Sequence, residues 1–84
     1  MMAKAFQVKA EDNVATLLED AAAGGAVEVI GTAPASVELR EPVELGHKVA
    51  LREIPAGGAV VKFGVPIGAA TRAIHAGEWV HLQN

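Results

Sequence analysis

His47 and Lys48 stand side by side after Gly46, joining an imidazole that exchanges protons near neutral pH to a cation able to hold a carboxylate. The glycine frees the backbone at what reads as a strand entrance, where successive side chains leave on opposite sides. Facing a cleft, His47 could move a proton or ligate a metal; facing solvent, the pair would only decorate a turn. A second constellation is Lys62-Phe63-Gly64-Val65-Pro66-Ile67-Gly68, whose two glycines and proline specify an unusual backbone path with a lysine at its entry. That lysine suits an anionic substrate. The segment has neither the Walker nor the dinucleotide glycine spacing, so it is not read as a phosphate loop, and Phe63 is read as core.

His75 and His81 have no partner set at ligand spacing, and no self-contained metal site is expected. The alternating Trp79-Val80-His81-Leu82 places Trp79 and His81 on one face and Val80 with Leu82 on the other. Trp79 is then either an exposed anchor for an interface or the cover of a small core. Ser36, the lone serine, has no histidine and acid beside it. Glu11-Asp12 and Glu19-Asp20 read as a solvated helix face with favourable first-turn charges.

The elements that must position these residues follow from periodicity. Ala5 to Lys9 alternates as a half-buried strand. Asp12 can cap a short helix whose apolar positions Val14, Leu17, Leu18 and Ala21 recur at helical spacing and which Gly24-Gly25 ends. Val27 to Ile30 and Val37 to Arg40 are strands that can pair as a hairpin around Gly31 and Pro34, and His47 to Leu51 is another strand. Residues 52–60 line up with residues 72–80, sharing Arg, Ile, Ala, Gly and Val at equal offsets, with a weaker echo at 23–27. A recurring turn unit with glycine corners therefore builds a compact, barrel-like set of short strands.

Eighty-four residues make one domain, residues 1–84. Two Phe and one Trp leave the packing to Val, Ile, Leu and Ala, so the core is thin and a partner chain is a natural source of further stability. The lack of cysteine excludes a disulfide scaffold, and with no long apolar run the expected location is the cytoplasm, away from membranes. A net charge of -3 argues against a duplex nucleic-acid binder. The cations Lys48, Arg52, Lys62 and Arg72 and all three histidines lie in the second half, which is where an anion-facing surface would be.

Across Gly46 to Leu51, Lys62 to Gly68 and Gly77 to His81, the sequence resembles the SAF domain of the altronate and galactarate dehydratase family, which includes two-subunit sulfolactate sulfo-lyases. Asp12-Asn13-Val14-Ala15 is similar too. The resemblance implies a β-clip-like fold: mostly β, with one short amino-terminal helix. It implies a small subunit, inactive alone, that completes the substrate site of a separate large catalytic subunit. The reaction implied is loss of water or sulfite from a small anionic hydroxy acid, with a divalent metal, iron being the expected one, held mainly by the large subunit. His47 takes an acid/base or leaving-group role by this resemblance. Lys48 and Lys62, with Gly64, meet the acid's charge, and Trp79 and His81 serve the interface or stand behind the reacting groups. The family often carries Tyr in place of Phe63 and His in place of Gln83, so neither position is assigned a part. A free-standing module for small acidic ligands and a purely structural domain are the competing readings, and homo-oligomerisation stays open.

Overall fold

The computed structural model describes residues 3–31 and 35–81, and none of them is helical. Six strands form one sheet: β1 (Ala3–Gln7), β2 (Val14–Leu17), β3 (Ala26–Gly31), β4 (Ala35–Glu38), β5 (Lys48–Ala50) and, after a separate hairpin, β8 (Trp79–Val80). The hairpin pairs β6 (Ala59–Lys62) with β7 (Val65–Ala69). In the large sheet the order is β4-β3-β1-β2-β5-β8, antiparallel except for the β1–β3 pair.

The expected helix after Asp12 is a strand. Val14, Ala15 and Leu17 are all buried and Thr16 is half-buried, because β2 lies between β1 and β5 and is covered on both faces. Ala15 and Leu17 enter one core with Ala5, Val27, Val29, Leu39, Val43 and Val49. Val14 enters a second core with Ala50, Ile54, Val60, Ala70, Ile74 and Val80. An apolar run buried on both sides carries no alternation, and Val14, Leu17, Leu18 and Ala21 match a helical face only in number. Leu18 is in fact exposed, and Ala21 forms a bridge with Val43. The hairpin expected from residues 27–40 is present as β3 and β4, while its turn at Pro34 lies outside the described residues.

The turn unit occurs four times, over residues 17–27, 39–49, 50–60 and 70–80. Each unit opens on a buried apolar residue (Leu17, Leu39, Ala50, Ala70) and reaches a bridging apolar residue four positions on. Three positions later comes a positive-φ glycine (Gly24, Gly46, Gly57, Gly77), and a buried valine closes the unit. The units clasp each other in reciprocal pairs. In the first pair, Gly24 donates its N–H to Leu39 O at 2.8 Å and Gly46 donates to Leu17 O at 2.8 Å, while Ala21 and Val43 exchange both backbone bonds. In the second, Gly57 donates to Ala70 O at 2.7 Å and Gly77 to Ala50 O at 2.9 Å, with Ile54 and Ile74 exchanging theirs. Each pair is joined by a hairpin, β3–β4 in the first and β6–β7 in the second, so residues 17–49 and 50–80 repeat one design. This satisfies the backbone of a chain that is nearly all turns and short strands.

Candidate functional site

The ninth and tenth positions of the unit decide where chemistry can sit. Units one and three fill them with Gly25-Ala26 and Gly58-Ala59, whereas units two and four carry His47-Lys48 and Glu78-Trp79. Antiparallel pairing of β5 with β8, in the register Lys48↔Val80 and Val49↔Trp79, brings these two loaded ends side by side. His47 precedes β5 and His81 follows β8, so both imidazoles gather on the indole. The His47 ring meets Trp79 edge-on at 5.4 Å between centroids, and the His81 ring lies tilted over it at 4.3 Å.

An open cleft of about 650 Å³ runs past this cluster. His47, Lys48, Thr71 and His81 supply its polar lining and Trp79, Val60, Val80 and the β7 segment Ile67-Gly68-Ala69 its apolar walls. Among the described residues that line it there are a half-buried lysine and two imidazoles but no carboxylate. Such a cleft favours an anion with a carbon skeleton. Trp79 is half-buried and packed against the first core, so it serves as cover and as cleft wall together. Val80 is buried on the opposite side, as the alternation implies, while Leu82 lies outside the described residues.

Lys62 and Gly64 lie elsewhere, at the tip of the β6–β7 hairpin. Phe63 (φ 57°) and Gly64 (φ 73°) make the two-residue turn with both φ positive that matches the twist of a hairpin. Phe63 is not core: it is 51% exposed, with the Lys62 ammonium 4.8 Å from its ring centroid. A two-residue turn carries its side chains outward, and the sequence pattern held no sign of that tight a reversal. His75 is also outside the cleft, its Nδ1 3.1 Å from Glu53 Oε1.

Asp12 belongs to no solvated face. Its carboxylate, 1% exposed, accepts N–H bonds from Gly64 at 2.7 Å, Phe63 at 3.0 Å and Lys9 at 3.1 Å, and so ties the hairpin tip to the chain ahead of β2. Burial pushes the Asp12 pKa up, but the backbone N–H groups of Gly64, Lys9, Phe63 and Val8 together outweigh it and hold the carboxyl below its ordinary value. Asn13 continues the attachment, donating to Ala59 O at 2.8 Å and accepting from the Val61 N–H at 2.8 Å, as a strand backbone would. Asp12 and Asn13 thereby set the position of β7, one wall of the cleft. Thr71 and Ala69 carried no signal in the sequence, and Ile67 and Gly68 stood out only for the backbone path of their segment, not for a place beside His47.

Among the described residues no three His, Asp or Glu side chains come together as a metal site. Each of the two cleft imidazoles is in ring contact with the indole of Trp79. Nor, among the described residues, is any helix long and apolar enough to cross a membrane.

Comparison with known proteins agrees with this architecture. Residues 3–84 match the family described as the altronate/galactarate dehydratase SAF domain. The chain is 45% identical over 79 residues to altronate dehydratase of Escherichia coli (strain K12), covering 94% of this chain and 15% of that protein. It is 40% identical over 78 residues to galactarate dehydratase (L-threo-forming) of the same organism, covering 90% and 14%. With the (2R)-sulfolactate sulfo-lyase subunit alpha of Chromohalobacter salexigens it shares 36% identity over 47 residues, 56% of this chain and 50% of that one. The chain thus spans about 15% of the length of the dehydratases it matches and half of the lyase subunit. A clasped all-β chain matched along nearly its whole length belongs to the SAF domain family of the altronate and galactarate dehydratases.

Proposed function

We propose that this chain is the small component of a lyase that removes water or sulfite from a sugar acid or small hydroxy acid, acting with a separate large subunit. The observation that carries the reading is the cleft, lined by no carboxylate among the described residues, into which His47, Lys48 and His81 are gathered at the ends of two clasp units. Similarity to a lyase subunit alpha supports a partner subunit, and similarity to two dehydratases supports the class of reaction.

In such an elimination a proton leaves the carbon next to the carboxylate and the leaving group departs from the adjacent carbon. The resulting enol tautomerises to a 2-oxo acid. Lys48, at the cleft, meets the substrate carboxylate, and His47, the more exposed imidazole, passes a proton to the departing group. Any metal that polarises the substrate belongs, in this reading, to the large subunit. Lys62 and Gly64 reach the substrate only where that subunit closes over the hairpin tip.

The test is reconstitution, with the 2-oxo acid product and free sulfite assayed for the chain alone, the large subunit alone and the mixture. Turnover is expected only in the mixture. His47→Ala should lower kcat by about 10²–10⁴-fold, the range for loss of a general acid or base, and Lys48→Ala should mainly raise KM. Unchanged kcat in His47→Ala removes His47 from the reaction. Hydroxy-acid binding to the isolated chain by calorimetry, with no activity in any mixture, would favour a free-standing ligand-binding module.

A further inference from the structure

Trp79 holds both cleft imidazoles, so whatever fixes Trp79 fixes them. β8 is the last strand of the six-stranded sheet, and its Val49↔Trp79 pairing lies between the bonded positions marked by Ala50 N–H to Glu78 O and by the Lys48↔Val80 register. At such a position the N–H points away from the neighbouring strand. The Trp79 N–H instead donates to Glu41 Oε2 at 3.0 Å, across 38 residues of sequence. One residue before Glu41, the Arg40 N–H donates to Gly77 O at 3.0 Å, so the Arg40-Glu41 step holds both β8 and the turn that leads into it.

We infer that Glu41 is a positioning residue for the cleft: its carboxylate fixes the Trp79 backbone so that the indole keeps its ring contacts with His47 and His81. Glu41 occupies the third position of the second unit. The third position of the first unit is Glu19, whose Oε2 accepts the Lys4 N–H at 3.2 Å. The device is therefore repeated, a carboxylate accepting a strand N–H, but at Lys4 it meets an exposed residue of the central strand β1 and at Trp79 it holds the centre of a ring cluster. A charged acceptor makes a stronger bond than a neutral one and also blocks the sheet's open edge from further strand pairing.

The inference does not depend on which acid the cleft takes, because its test reads ring geometry in the full chain without substrate. The protein has one tryptophan and three histidines, and His75 is a built-in control outside the cluster. In proton NMR spectra, Glu41→Ala should remove the ring-current displacement of the His47 and His81 imidazole signals and leave His75 in place. Glu41→Gln, which keeps an acceptor oxygen, should restore both. Hydrogen exchange of the Trp79 amide should be protected in the unaltered chain and about tenfold or more faster in Glu41→Ala, the effect of losing one charge-assisted bond. Unmoved His47 and His81 signals in Glu41→Ala, or no rescue by Gln, would overturn the inference. If Glu41→Ala unfolds, the unaltered chain decides: a Trp79 amide that exchanges as fast as open-edge amides also overturns it.

Discussion

Gly77→Ala is expected to cost most of the protein's stability, while Gly57→Ala, at the same position of the preceding clasp unit, is expected to cost only about 1–2 kcal/mol. Both glycines have positive φ, +88° and +80°, and both substitutions meet the ordinary penalty for an L-residue in that region. What separates them is space. Nothing lies within 4 Å of a Cβ built on Gly57, whereas one built on Gly77 falls inside the carbonyl oxygen of Glu38. That neighbour is backbone at the end of β4, held in turn because the next residue, Leu39, donates to Gly25 O and the Arg40 N–H bonds to Gly77 O. No rotamer change relieves the overlap; the second clasp pair must move off the first, across a buried seam. A loss above about 4 kcal/mol is expected, against a total stability of about 5–15 kcal/mol for a domain. Urea unfolding followed by circular dichroism checks it, and equal midpoints for the two variants would refute the packing argument. Because Gly77 leads directly to Trp79, the same clash would scatter the cleft before the fold is wholly lost.

Strands with one buried face were readable from alternation, as in β1 and β3, and the glycine corners were readable from three of the four clasp units, most weakly in the first. The second unit was missed because Leu45 stands where the other three have Ala23, Ala56 and Ala76. Leu45 is 61% exposed, so that position accepts any side chain and the sequence loses its mark there. β2 was misread for the opposite reason, since a strand buried on both faces has no polar side to report its period. For the site, His47 and Lys48 were legible from their types and from Gly46, and the Trp79–His81 face from alternation. Their convergence was not, because it depends on pairing between β5 and β8, some thirty positions apart in the chain. Lys62 and Gly64 looked like part of the same group only while the hairpin between them and the cleft was unknown. Asp12 looked solvated because an acid beside another acid is usually so, and its three N–H donors come mostly from residues far along the chain.

That buried carboxylate supports the other large prediction. Asp12→Asn keeps the shape but turns an NH₂ group toward a ring of N–H donors, losing charge-assisted bonds worth about 1.5–3 kcal/mol each and leaving at least one donor unmatched. A loss of about 2–4 kcal/mol at neutral pH is expected, concentrated in the hairpin. Hydrogen exchange at 60–69 should quicken more than at β1 and β3. The pH dependence has a definite sign. The Asp12 pKa is lower in the folded chain than its ordinary 3.8, so the unfolded chain takes up the proton first. The stabilisation is complete at pH values above the unfolded-state pKa and is lost as the pH falls through 3.8 toward the folded value. The unaltered protein should therefore weaken over that acidic window while Asp12→Asn, which has no proton to gain there, changes less, and the gap between the two narrows. A gap that stays constant down to the lowest pH at which both fold would mean that the carboxylate charge does not hold the hairpin. Since β7 is a wall of the cleft and β6 joins it to Asn13, a loosened tip should also widen the space beside Lys48 without displacing Trp79, which Glu41 and the first core hold independently.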